Sequence, residues 1–280
     1  MNSVILDTDI GYDPDDMIAL LLLLKSPEAS LDLIITGDEI GRRRARFARQ
    51  VLDLADRADI PVVAGRDVGN RNFVVNDLLD GRYEISKDYR KAMLEVLDKS
   101  EQVTYIGIDG FSNLARFIGR HPERIEQLTV YQMGGALDYE RKPGWIEHNV
   151  KIDVPSARRI FTSDVDLSLV LSQTTFRPDY EVNDTHPIYH QLKESENRAY
   201  RLLADHIDRF HGVKGYWTRM HDPLTVSAAL GYDFVDFTPT RVVMQPSGAL
   251  KTDAYGKHIR ASQASRPRAF MSFLEERLFS

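Results

Sequence analysis

Five aspartates, Asp7, Asp9, Asp13, Asp15 and Asp16, fall within ten positions directly after the apolar run Ser3-Val4-Ile5-Leu6. Unpaired carboxylates are costly to bring together out of water, so a fold that gathers this many gives them a cation or an acid-base task. The β-branched apolar run predicts a buried strand that stops at the first acid. A helix is expected next, with Asp13 as N-cap, Pro14 in the first helical position and Asp15 and Asp16 near the positive end of the helix dipole. Met17 to Leu24 continues it as an unbroken apolar run, too apolar for a surface helix. Strand, acidic turn and helix together put the carboxylates at the carboxyl end of a strand, where open α/β sheets bind ligands.

Oxygen donors without cysteine or a nearby histidine favour a hard divalent ion, Ca²⁺ or Mg²⁺, over zinc. The spacing is not that of a calcium-binding helix-loop-helix, because the sixth position from Asp7 is Tyr12 where that loop needs glycine. A plain helix cap uses one or two acids, not five.

The rest of the chain alternates. Leu31 to Ile35 reads as a second strand ending at Thr36-Gly37-Asp38-Glu39, and Gly41 to Ala58 as a basic amphipathic helix. Its arginines, Arg42, Arg43, Arg44, Arg46 and Arg49, are expected to form a solvated face, since no nucleic-acid motif accompanies them. Ile60 to Gly65 is a third strand. Residues 66–86 lack periodicity and read as a long functional loop. Strands at 103–108 and 128–132, a helix from Ser112 and a sixth strand at 167–171 complete the pattern. Repeated strand-helix alternation predicts an α/β fold: an open, mostly parallel, Rossmann-like sheet with helices on both faces.

Further on, Arg177 to Pro187 reads as loop and Ile188 to His211 as one helix, while Tyr216 and Trp217 could stack on a base or pack on the core. The segment from Tyr232 to Ser280 offers no chemistry. A chain of 280 residues fits a single domain over 1–280. Its net charge of −6 argues against a nucleic-acid surface, and its longest apolar run is too short to span a membrane. Zero cysteines remove disulfides and thiolate chemistry. With the strand starting at once there is no room for a signal peptide, so a cytoplasmic protein is expected.

Asp7-Thr8-Asp9-Ile10-Gly11 followed by Asp15-Asp16 and an Ala-Leu helix resembles the signature of the inosine-uridine-preferring nucleoside hydrolases. Here Tyr12-Asp13-Pro14 intervenes between the glycine and the acidic pair. The resemblance continues in order: Ile108 to Asn113 matches a turn that gives a backbone carbonyl to calcium, Met133-Gly134-Gly135 matches as it stands, and Glu147-His148-Asn149 matches a Glu-aromatic-Asn motif that holds ribose hydroxyls. His221-Asp222-Pro223-Leu224 matches the late His-Asp-Pro-Leu.

This resemblance implies hydrolysis of the N-glycosidic bond of a ribonucleoside or related ribosyl compound. It implies a Ca²⁺ ion held by Asp9, Asp16, Asp222 and the Ile108 carbonyl, with Asp9 as base on an ion-acidified water. Carboxylates stabilise the positive charge of an oxocarbenium-like transition state. Asp15, Glu147, Asn149 and Asp222 would grip the sugar, His221 would protonate the departing base, and Asp7 would support the shell. Family members are commonly dimers or tetramers, so a homodimer or homotetramer is expected. Asp38, also placed with substrate, stands where many members have Asn, as in the purine-specific branch, yet His221 stands where that branch has Trp. No Asn lies between Gly135 and Glu147, the family's place for a 5′-hydroxyl contact; Glu140, Arg141 and Lys142 occupy it, which implies an anionic 5′ group met by Arg141 or Lys142. Two other readings stand beside this one: a calcium- and ribose-binding homologue without turnover, and a haloacid-dehalogenase-like phosphatase, which generally has Thr or Val where this chain has Gly11.

Overall fold

The computed structural model describes residues 2–280. Eleven strands form: β1 (Asn2–Thr8), β2 (Ala29–Thr36), β3 (Val62–Ala64), β4 (Val103–Gly107), β5 (Leu128–Met133), β6 (Asp166–Val170), β7 (Glu181–Val182), β8 (Thr218–Arg219), β9 (Val235–Met244), β10 (Leu250–Thr252) and β11 (Lys257–Ser265). Nine make one sheet in the order β10-β9-β11-β6-β5-β4-β1-β2-β3, and β7 and β8 make a small antiparallel ribbon. From β11 to β3 every pairing is parallel; β9 and β10 add an antiparallel edge. The expected mostly parallel sheet is thus present, and the C-terminal segment that carried no chemistry builds its far edge.

The α-helices are α1 (Asp15–Leu24), α2 (Arg43–Leu54), α3 (Tyr89–Leu97), α4 (Ser112–Ile118), α5 (His148–Ile152), α6 (Val154–Phe161), α7 (Ser172–Thr175), α8 (Pro187–Glu194), α9 (Arg198–Lys214), α10 (His221–Ala229) and α11 (Pro267–Phe279). They cover both faces. Alternate residues of β1 divide between two hydrophobic cores, Val4 and Leu6 on one side and Ile5 on the other, as the two-residue strand period requires. Helix α1 is buried through nearly its whole length because α10 and α11 pack over it. Arg277 of α11 reaches Glu28 just beyond α1, and Lys25 bonds the Ser280 carbonyl at 2.9 Å.

Strand order reverses at β1: β2 and β3 extend one way, β4 to β6 the other. The cleft at the carboxyl ends of β1 and β4 is therefore the topological switch point, the usual ligand position in such sheets.

Three local expectations change. Asp13 is not the N-cap of α1; Pro14 holds that place with no side-chain cap, and the Asp13 carboxylate accepts from the Thr218 hydroxyl as well as from Asp15 N at 3.5 Å. The single helix expected over 188–211 is two, separated at Ser195–Asn197, because the Asn197 side chain accepts from Ala199 N and starts α9 afresh. The arginines of α2 are not all solvated, since Arg44 is fully buried.

Candidate active site

The carboxyl ends of β1, β2, β4 and β5 each deliver part of one acidic cup. At the end of β1, Asp7 is buried and its two oxygens are taken by Asn113 Nδ2 at 2.8 Å and by the Tyr105 hydroxyl. Thr8 donates to Asp16 Oδ1. Gly11 then turns the chain with φ +100°, and a Cβ there would meet Phe73 Cε2 at 2.4 Å, so glycine is required twice over.

Asp15 and Asp16 follow in the first turn of α1. Asp222, from the first turn of α10, approaches them from the far end of the chain, and its backbone N–H donates to Asp15 Oδ2 at 3.2 Å. Asp15, Asp16 and Asp222, all buried, each offer an oxygen within 4.8 Å of the other two. Asp9 lies beside this triple and outside it. It is close enough that its charge raises the proton affinity of Asp16 and Asp222.

Ile108 continues β4, its N–H bonded to Asp7 O at 2.8 Å, and its carbonyl is 3.4 Å from Asn149 Nδ2. Asn149 also donates to Met133 O at 3.1 Å. Glu147 caps α5: its carboxylate accepts from Asn149 N at 3.1 Å, Val150 N at 3.2 Å and Gly135 N at 2.8 Å. Both residues of the expected ribose motif are therefore buried at the cup wall, and Glu147 also pins the Gly134-Gly135 turn, where both glycines have positive φ.

Two buried charged residues were not legible as site residues. Asp109 lies among the acids with neither carboxyl oxygen partnered among the described residues, and it occupies the space a Cβ on Gly37 would need. Its only sequence signal is its place one residue past Ile108. Among the described residues, Arg44 is the one fully buried cation of the cup wall. Its guanidinium donates to the Asp9 carbonyl, to Ile10 O at 3.2 Å and to Asn72 O at 2.8 Å, its Nε donates to Asp38 O at 2.9 Å, and Nη2 sits 3.5 Å from Asp38 Oδ2. Its position facing the core side of an amphipathic helix, between Ala45 and Phe47 in the buried stripe, is the signal that separates it from its neighbours.

Burial dominates the electrostatics. It pushes Asp15, Asp16, Asp109 and Asp222 well above the ordinary carboxylate range, with the neighbouring negative charges adding to the effect. Burial likewise raises Asp7 to about 7 and, despite the opposing charge of Arg44, Asp38 to about 6.

His221 stands in the opposite kind of surroundings. Its Nδ1 is 2.6 Å from Thr175 Oγ1, and its ring stacks on Phe176 at 6.1 Å. Burial, together with the charges of Arg141 and Arg219, pushes its pKa down to about 3. The ring expected to protonate the departing base is thus set in surroundings that favour its neutral form. Arg141 and Arg219 both pack on Phe176, with guanidinium carbons 3.4 and 4.2 Å from the ring centroid. Arg219 is paired with Glu181 at 3.1 Å, and Arg141 donates to Ser172 Oγ at 2.7 Å. Lys142 is exposed. Trp217 stacks on His211 at 3.8 Å and Tyr216 edges onto Phe210, so both aromatics pack on α9.

Three buried, converging carboxylates are a donor set for a hard divalent ion, whose charge would remove the penalty of keeping them ionised. The residues present fit such an ion.

Comparison with known proteins agrees with this geometry. Residues 4–271 match the family model described as inosine-uridine preferring nucleoside hydrolase. The pyrimidine-specific ribonucleoside hydrolase RihA of Escherichia coli O1:K1 is 25% identical over 248 residues, covering 80% of this chain and 78% of the relative. Among solved structures, a plant nucleoside hydrolase, the PpNRh1 enzyme, superposes with a TM-score of 0.85 at 22% identity, over 100% of this chain and 99% of that one. A purine-preferring ribonucleoside hydrolase from Gardnerella vaginalis gives 0.85 at 19% identity, over 99% and 98%. The phosphatase reading is thereby set aside, and the chain belongs to the inosine-uridine preferring nucleoside hydrolase family, enzymes that cleave N-glycosidic bonds.

Proposed function

We propose that this enzyme hydrolyses a ribonucleoside with the help of Ca²⁺, releasing free base and ribose. The observation that carries the reading is the buried Asp15-Asp16-Asp222 triple at the switch point of the sheet. Asp16, Asp222, Asp9 and the Ile108 carbonyl would hold the ion, with Asp15 closer to this set than the sequence suggested. When bound, a divalent cation supplies positive charge that eases the deprotonation of water. Asp9 accepts that proton at a carboxylate oxygen, and the water oxygen bonds to the anomeric carbon of the ribose as the base leaves. The surrounding carboxylates stabilise the cationic ribosyl group as the bond to the base breaks. Asp15, Asp38, Glu147, Asn149 and Asp222 hold the sugar hydroxyls.

For the leaving base, a neutral His221 can act as a hydrogen-bond donor. If the Thr175 hydroxyl donates to Nδ1, the proton sits on Nε2, which can donate to the base without an imidazolium forming. The enzyme acts in the cytoplasm as a homodimer or homotetramer, which light scattering of the purified protein tests.

Incubating the protein with a panel of nucleosides and assaying free base and reducing sugar, with and without a calcium chelator, tests the main reading. Turnover abolished by chelation and restored by Ca²⁺ supports it; ribose binding without base release would establish the non-catalytic alternative.

A second reading concerns the substrate's far end. Arg141 has no carboxylate partner among the described residues and shares the rim with Arg219 and His221, which favours an anionic group on the 5′ carbon over a bare hydroxyl. Turnover of a nucleoside and its 5′-phosphate would be compared; preference for the unphosphorylated form would refute it.

A further inference from the structure

Away from the acidic cup, a groove of about 680 Å³ between α4 and α6 is lined by Arg66, Arg116, Arg120, Arg158 and Arg159 and by no acidic residue. A second depression of about 360 Å³ shares Arg66 and Arg116 and adds Lys87 and Arg90; its one acid, Asp67, is bonded to Arg71 at 2.9 Å. None of these seven cations forms an ion pair among the described residues. The chain as a whole carries a net charge of −6, so these cations stand against its overall balance.

A cation at the end of a helix is favoured by the helix dipole, and this accounts for Arg116 at the end of α4 and for Arg158 and Arg159 at the end of α6. It does not account for Arg66 and Arg90, nor for their convergence. Three details show space and donors arranged for something else. Gly119, which follows α4, has φ −71°, open to any residue, yet a Cβ there would meet Arg159 Cζ at 2.6 Å, so the glycine leaves room for that guanidinium. The Tyr89 side chain is nine-tenths buried, with its hydroxyl unpartnered among the described residues, and it lies between the negative charge of Asp7 on its inner side and the positive charges of Arg116, Arg66 and Arg90. Arg66 Nε is also buried and unpartnered.

We propose that this groove binds a small oligophosphate, a molecule carrying two or more linked phosphates. Linked phosphates match guanidinium groups spread over two joined depressions, where a single monophosphate would engage one end only. A nucleic-acid strand fits poorly, because Tyr89, the one aromatic on the lining, is buried and offers no stacking face. The inference stands apart from the ribosyl chemistry of the cup.

Inorganic tripolyphosphate and ATP would be titrated calorimetrically into the full chain in low-salt buffer free of divalent ions, with orthophosphate as the comparison. Expected are one-to-one binding of both oligophosphates, at least about tenfold weaker binding of orthophosphate, and at least about tenfold loss in Arg116→Gln/Arg159→Gln, a drop equal to one charge-assisted contact. Gly119→Ala should weaken binding through displacement of Arg159 while leaving the thermal midpoint nearly unchanged. Binding of ATP without tripolyphosphate would place the ligand in the ribose cup and overturn the proposal. Undiminished binding in the double variant would do so too, as would a self-association of the wild type lost in that variant, since a second copy would then be what covers the arginines.

Discussion

Arg44 and Asp9 are joined through the backbone: the guanidinium of a residue in the first turn of α2 donates to the carbonyl of the aspartate that ends the β1 turn. One buried cation thus fixes the path of the acidic loop. It also neutralises part of Asp38 and satisfies three main-chain carbonyls in addition to that of Asp9.

Replacing Arg44 by Met should therefore destabilise the fold by about 3–5 kcal/mol, the range for removing one member of a buried charge pair. Urea denaturation measures it. Arg44→Lys should recover only part, because one ammonium cannot serve so many acceptors in the plane of a guanidinium.

Stability without metal should fall as the pH rises. Asp7, raised to about 7, and Asp38, raised to about 6, bind protons in the folded chain that they release in the unfolded one, where each titrates near 3.8. The folded state holds more protons between about 4 and about 7, so stability present at the low end of that window is lost toward its high end. Thermal midpoints recorded across this range in chelator test the sign; a rising trend refutes it.

Calcium should reverse that loss. An ion that binds only the folded state at 100 times its Kd adds about 2.7 kcal/mol, seen as a rise in melting temperature. Asp16→Ala should abolish the rise, whereas His221→Ala should leave it intact and slow chiefly the substrates with poor leaving groups.

His221 should carry no titratable signal between pH 5 and 8. Its burial and the charges of Arg141 and Arg219 keep it neutral, with a pKa near 3. Proton NMR of the ring C–H, assigned by comparison with His221→Gln, reads this directly; a chemical-shift midpoint near 6.5 would show that neither burial nor the arginines act on it.

Gly37→Ala should disturb the cup from a distance of one residue. The added methyl claims the place of the Asp109 carboxyl, which has no spare room. Metal affinity and turnover are expected to fall together, and Asp109→Ala on the same background should relieve the clash.

Much of this arrangement could be read in the chain, because its cause is local. The apolar run Val4 to Leu6 ending at Asp7 required a buried strand, and Pro14 with its flanking acids required a helix start, so the triple's first two members were in hand from the sequence. Asp222 was legible through its match to a family motif, since nothing in the spacing says that α10 returns to β1. What stayed hidden depends on tertiary contact. Arg44 looked like its exposed neighbour Arg43 until α2 docked, Asp13 gained a bond from the distant Thr218, and the suppressed basicity of His221 comes from its burial together with two arginines nearly eighty residues apart.

The docking of α11 across α1 reaches the chemistry. Arg277 and Ser280 anchor the far end of the rod whose near end carries Asp15 and Asp16. Trimming those last residues, or hanging a bulky fusion from them, would let that rod tilt and spread the carboxylates apart, so affinity for the ion becomes a sensitive gauge of how intact the opposite tip of the molecule is.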